Sequence, residues 1–133
     1  MLILIKKMEH TAIIVKNMEE SINYYMEMFG FKMRTRGSNE RRDMAFLYHE
    51  NLPQFEVELI EDLKKDSVYA EVGVVNHLAF TVEDIYVAID YFKKKGIIFK
   101  SHSPNIAVDG AKTIFFTGIN GELLQLVQPT RTY

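Results

Sequence analysis

Residues 10–15 of this 133-residue chain, His-Thr-Ala-Ile-Ile-Val, return 67 positions later as His77-Leu-Ala-Phe-Thr-Val82. The same offset aligns Val57-Glu58-Leu59-Ile60 with Leu124-Gln125-Leu126-Val127. A repeat of about half the chain length restricts the fold to two similar modules, and every chemically active position in one module acquires a counterpart in the other. Between these anchors the match is looser. Phe29-Gly30-Phe31 meets Lys95-Gly96-Ile97 only after a one-residue deletion, and the offset of 67 is restored before Glu58.

Hydrophobic spacing gives each module the same order of elements. From His10 to Lys16 the residues alternate as in a half-buried strand, with Thr11, Ile13 and Val15 on one face and His10, Ala12 and Ile14 on the other. Asn17 is placed to cap a helix, with Glu20 three residues later. Met18, Ile22, Tyr25, Met26 and Phe29 then recur at helical spacing, and Gly30 suits the left-handed position that ends a helix. Strand-like runs follow at 31–36, 43–49 and 55–61, with turns around Gly37-Ser-Asn39 and Asn51-Leu-Pro53.

The second module repeats this order. A strand over 77–82 leads to a helix capped by Asp84, with Ile85, Ala88, Ile89 and Phe92 on its buried stripe and Lys93-Lys-Lys-Gly96 at its end. Strands are expected at 97–102, 112–117 and 122–128. The chain therefore reads as one domain of two βαβββ modules, 8–61 and 77–128, joined by a polar linker over 62–76. The opening Met1-Leu-Ile-Leu-Ile5 is an extra edge strand or a ragged start.

Composition narrows the chemistry. The chain has no cysteine, which removes disulfides, thiolate metal sites and a cysteine nucleophile. A net charge of −2 gives no general pull toward nucleic acid or membrane. The apolar start is too short for a signal peptide or a span, so a cytoplasmic protein is expected. No phosphate-binding glycine loop, Ser–His–Asp arrangement or nucleic-acid module is present.

Four polar residues stand out by the face they occupy. In Phe55-Glu56-Val57-Glu58-Leu59 the apolar side chains share one face and the two carboxylates share the other. Gln125 similarly points away from Leu124 and Leu126, and both His10 and His77 lie opposite the apolar residues that follow them. His10, Glu58, His77 and Gln125 thus project from the face that the helices do not cover. Two imidazoles, a carboxylate and an amide oxygen suit one divalent ion: Zn, Ni, Co, Mn or Fe. Glu56 has no polar counterpart and is expected at an edge or in solvent, and His49 and His102 at the surface. Arg34 and Arg36, beside Arg41 and Arg42, are candidates for receiving the anionic group of a substrate.

The stretches His10-Thr-Ala-Ile-Ile-Val, Ser21-Ile-Asn-Tyr-Tyr-Met-Glu-Met-Phe-Gly-Phe31, Glu56-Val-Glu-Leu, Asn76-His-Leu-Ala-Phe-Thr-Val82 and Asn120-Gly-Glu-Leu-Leu-Gln-Leu126 resemble the vicinal oxygen chelate superfamily. This group includes glyoxalase I, methylmalonyl-CoA epimerase, extradiol dioxygenases and bleomycin-binding proteins. The resemblance covers about residues 8–128 and implies an α+β fold: an eight-stranded curved mixed sheet, an incomplete barrel, with helices on its outer face. It places His10, Glu58 and His77 on metal-ligand positions and puts Gln125 on the fourth, where most metal-dependent members carry glutamate. It also implies a homodimer acting on a small-molecule substrate.

The resemblance leaves the reaction divided. A glutamine lends its oxygen to a metal but takes no proton at neutral pH, so Glu58, at the pseudo-symmetric position, becomes the candidate base. The expected activity is a glyoxalase I-like lyase or isomerase acting on an α-oxygenated carbonyl compound, such as a thiol adduct of methylglyoxal. The alternatives are a drug- or antibiotic-sequestering protein of the same fold and an extradiol-type dioxygenase.

Overall fold

The computed structural model describes residues 4–64, 71–119 and 121–131. Most of the central linker, Asn120 and the first three residues therefore lie outside the described part. Ten elements follow in chain order: β1 (Ile5–Ile14), α1 (Met18–Phe29), β2 (Lys32–Ser38), β3 (Arg42–His49), β4 (Leu52–Asp62), β5 (Val75–Val82), α2 (Ile85–Lys94), β6 (Asn105–Ile106), β7 (Lys112–Thr117) and β8 (Leu123–Gln128). The strands hydrogen-bond in the order β2-β3-β4-β1-β5-β8-β7-β6, giving the expected mixed sheet of eight strands and two helices. None of the described helices is long and apolar enough to cross a membrane.

Two compact units share the chain, one from His10 to Asn76 and one combining residues up to Glu9 with those from His77 onward. In the first unit β4 runs parallel to β1 and antiparallel to β3. One face of this sheet carries α1: Met18 and Ile22 pack with Val15, Ala45, Leu47 and Leu59. The opposite face carries Ala12, Ile14 and Ile60 with Met44 beside them. In the second unit β8 runs parallel to β5 and antiparallel to β7. There Ile85, Ala88 and Ile89 of α2 pack with Val82, Ile114, Phe116 and Leu126, and the opposite face gathers Ala79, Ala111 and Val127. Leu4 and Ile5 pack against the α2 cluster.

The duplication extends to hydrogen-bond register. Ala12 stands opposite Glu58 across β1 and β4, and Ala79 stands opposite Gln125 across β5 and β8. Thr11–Val57, Ile13–Leu59 and Ile14–Ile60 recur as Leu78–Leu124, Phe80–Leu126 and Thr81–Val127. A slip of one residue would turn every side chain to the other face, so a shared register fixes equivalent polar positions on equivalent faces.

Helix starts are duplicated as well. Asn17 caps α1 through its side chain, which accepts from the Glu20 amide at 3.0 Å. Asp84 caps α2, accepting from the amides of Tyr86 and Val87. Gly30 ends α1 with φ 78°, the left-handed value that a side chain disfavours.

Two expectations need correction. The run at 97–102 is not a strand: Phe99 makes an isolated bridge to Phe116, Lys100 N–H bonds the Phe115 carbonyl, and the short β6 forms only at Asn105–Ile106. Ser101-His-Ser-Pro104 explains this. The Ser101 hydroxyl donates to the Ser103 carbonyl, and Pro104 has no N–H for a ladder. Glu56 is neither at an edge nor solvated. It lies on β4, which is paired on both sides by β1 and β3, and its residue exposure is 1%.

Candidate metal centre

His10, Glu58, His77 and Gln125 are all buried, each 4–6% exposed. Three of them, His10, Glu58 and His77, are of the type that could hold a metal ion. In the first unit His10 comes from β1, where the alternation that sends Thr11 and Ile13 toward α1 turns the imidazole to the other face. Its Nε2 lies 3.3 Å from Glu58 Oε1 on the neighbouring strand. In the second unit Gln125 sits on β8 opposite Ala79, two residues beyond His77 on β5.

The fit of these side chains to a cation rests on donor chemistry and on one atom. Gln125 Oε1 is buried and has no hydrogen-bond partner among the described residues. An unsatisfied buried acceptor costs about 1–3 kcal/mol, a penalty that a cation accepting its lone pair would remove. Imidazole nitrogen, carboxylate oxygen and amide oxygen are all ordinary ligands for borderline divalent ions.

Each histidine has an aromatic neighbour that the sequence pattern did not reveal. The centres of the His10 and Phe46 rings lie 5.8 Å apart and those of His77 and Phe115 5.0 Å apart, each pair nearly perpendicular. The two phenylalanines are structural equivalents: Phe46 stands opposite Glu58 across β3 and β4, and Phe115 stands opposite Gln125 across β7 and β8. They are 69 positions apart in sequence rather than 67, so a comparison at fixed offset passes over them. Only the length difference between the connecting loops could have signalled the shift.

Arg34 and Arg36 are both bound to carboxylates of their own unit. Arg34 donates from Nε to Glu56 Oε2 at 2.5 Å and from its second nitrogen to Oε1 at 3.0 Å. Arg36 holds Asp43 through two nitrogens and Glu19 through the third. Hydrogen bonds to Asp43, then to Glu19, hold the Arg36 guanidinium above its ordinary pKa. A substrate anion reaching either arginine would have to displace a protein carboxylate. His49 lies outside the candidate centre, with its Nδ1 accepting from the Asn51 amide.

Comparison with known proteins bears on family and fold. Residues 9–116 match the family model described as Glyoxalase/Bleomycin resistance protein/Dioxygenase superfamily. The chain is 30% identical to the uncharacterized protein YwbC of Bacillus subtilis over 92% of this chain and 98% of that protein. It is 26% identical to an ethylmalonyl-CoA/methylmalonyl-CoA epimerase of Cereibacter sphaeroides over 94% and 99% of the two chains. The crystal structure of methylmalonyl-CoA epimerase from Mycobacterium tuberculosis superposes with a TM-score of 0.88 at 19% identity, covering 98% of this chain and 94% of that one, a likeness of fold.

Proposed function

Because the chain belongs to the glyoxalase/bleomycin resistance protein/dioxygenase superfamily, we propose that it is a metal-dependent lyase or isomerase that moves a proton on the carbon beside a carbonyl. His10, Glu58, His77 and Gln125 hold one divalent ion in this reading. The observation that carries it is the buried contact of His10 Nε2 with Glu58 Oε1, beside the duplicated register that makes Gln125 the counterpart of Glu58. The bound ion supplies Lewis acidity, lowering the pKa of a C–H next to the carbonyl it polarises.

The chain's own groups divide the remaining work. Glu58 is the one carboxylate among the four and takes the substrate proton. Gln125 has an oxygen for the ion but no basicity, so it orients and does not transfer. Phe46 and Phe115 place apolar surface against the two imidazoles, which excludes water from them. A single base returns the proton to the face it left, which suits a 1,2-shift within a thiol adduct of methylglyoxal.

A second reading is epimerisation of a 2-alkylmalonyl thioester, favoured by the similarity to the Cereibacter enzyme along nearly its whole length. Inversion requires proton delivery to the opposite face of the carbanion, and hence a second donor besides Glu58. Both readings are tested by loading the protein with Ni²⁺, Co²⁺, Zn²⁺, Mn²⁺ or Fe²⁺ in D₂O. A thiol adduct of methylglyoxal and methylmalonyl-CoA are then followed by NMR. Conversion of the adduct supports the first, and deuterium entry with inversion supports the second. No turnover of either with any ion, together with ligand binding that survives chelator, would leave a sequestering protein instead. The same reading includes a homodimer, checked by light scattering on the eluting protein.

A further inference from the structure

Arg34 occupies an irregular place in its sheet. The pairing of β2 with β3 matches Met33 to Leu47 and then Thr35 to Phe46, which leaves Arg34 as the extra residue of a bulge. Bulges re-aim a side chain, and this one sends the guanidinium across β3 to the buried carboxylate of Glu56 on β4. On the way its Cζ lies 5.1 Å from the centre of the Phe46 ring. Phe46 stands nearly perpendicular to the His10 ring, and Glu56 is the direct register partner of His10 across β1 and β4. The Arg34–Glu56 pair is thus linked to His10 by two routes, through the Phe46 ring and through the strand register.

The second unit lacks this apparatus. Leu123 is 67 positions after Glu56, and the counterpart of β2 is reduced to the Phe99–Phe116 bridge and the two residues of β6. His77 keeps its aromatic neighbour Phe115, but the position equivalent to Glu56 carries the apolar Leu123. Duplication therefore supplies an internal control: two histidines on equivalent strands, one with Glu56 and one with Leu123 at the equivalent place on the neighbouring strand.

We infer that Arg34 is a positioning residue for His10, acting through its pairing with Glu56 and its contact with Phe46. This rests on the reading of His10 as a metal ligand. The pair fixes the orientation of the ring from outside the metal shell, the kind of support whose loss typically weakens metal binding by about 10–100-fold. A cation over the ring also favours one placement of Phe46, and so of its ring relative to His10.

The test uses the double variant Arg34→Met with Glu56→Leu, which removes both charges together and installs the residue found at the equivalent position 123. Metal-free protein labelled with ¹⁵N-histidine is examined by NMR, with His10 and His77 ring signals assigned by single His→Gln variants. The expected result is displaced or broadened His10 signals and unchanged His77 signals. Co²⁺ affinity should fall by roughly tenfold or more. Unmoved His10 signals, or equal displacement of both histidines, overturn the inference. Should the double variant fail to fold, Arg34→Lys serves the same test, since lysine keeps a cation but loses the two-pronged grip. A wild-type protein that binds no Co²⁺ counts against the proposed function, while the metal-free histidine signals still decide the positioning role.

Discussion

Glu61 accepts a 2.8 Å hydrogen bond from the backbone N–H of Met18, the first residue of α1. Gln128, 67 positions later, accepts a 3.0 Å bond from Ile85, the first residue of α2. The last strand of each unit thus satisfies one of the orphan amides at the start of its helix. The pair repeats the glutamate-to-glutamine difference seen between Glu58 and Gln125.

Since glutamine performs this task in the second unit, Glu61→Gln should keep the bond and cost less than about 1 kcal/mol. Glu61→Ala should cost about 1.5–3 kcal/mol, because a charged acceptor is lost, and Gln128→Ala about 0.5–1.5 kcal/mol. Urea denaturation of the three variants measures the order. Equal losses for Glu61→Gln and Glu61→Ala would show that the bond carries no stability.

Metal binding should appear as one divalent ion per chain in protein purified without chelator. His10→Ala and His77→Ala should each lower affinity by more than roughly 100-fold, beyond the loss from a supporting residue. Gln125→Glu should tighten it by adding charge to the ligand set. An ion at 100 times its Kd stabilises the fold by about 2.7 kcal/mol, so chelation should lower the melting temperature. Affinity should fall with acid because the ligands must be deprotonated. Calorimetric titration with Ni²⁺ and Zn²⁺ reads all of these.

Glu56 is buried while its partner Arg34 is partly exposed, at 1% and 23% of their side-chain surface. Arg34→Ala therefore takes a cation away from a carboxylate in the interior and should cost up to about 3 kcal/mol. The double variant with methionine and leucine should cost less than Arg34→Ala alone, since no buried charge is stranded. A double-mutant comparison in guanidinium gives both numbers. A double variant as unstable as the single one would contradict this account.

At the β2–β3 hairpin the Lys32 ammonium donates to Glu50. This hydrogen bond, and then the charge of Lys32, holds the Glu50 carboxyl below its ordinary pKa, and the same two influences of Glu50 raise that of Lys32. A lowered carboxyl contributes stability above its unfolded value, about 4.3, and loses it as pH falls through the folded value. A raised ammonium contributes below about 10.4 and loses it as pH rises through its folded value. Both groups face solvent, so the effect is screened by salt. NMR titration of Glu50 in Lys32→Met should show the carboxyl returning upward; an unchanged titration would sink the assignment.

What the sequence by itself determined was local and periodic. Alternation placed His10, Glu58, His77 and Gln125 on the face away from the helices, and Asn17, Asp84 and Gly30 marked the helix ends where they are found. These features depend on neighbours within a few residues, which a linear pattern carries. The strand expected at 97–102 failed because the Ser101 hydroxyl bonds the local backbone and Pro104 lacks an N–H for the ladder that apolar spacing alone suggested. Tertiary structure decided what depends on register across three strands. The Arg34 bulge, its reach over Phe46 to Glu56, and the equivalence of Phe46 with Phe115 all follow from which residues stand opposite one another. Loop lengths shift that pairing between β3 and β7 by two positions, so only the paired strands bring the equivalence out.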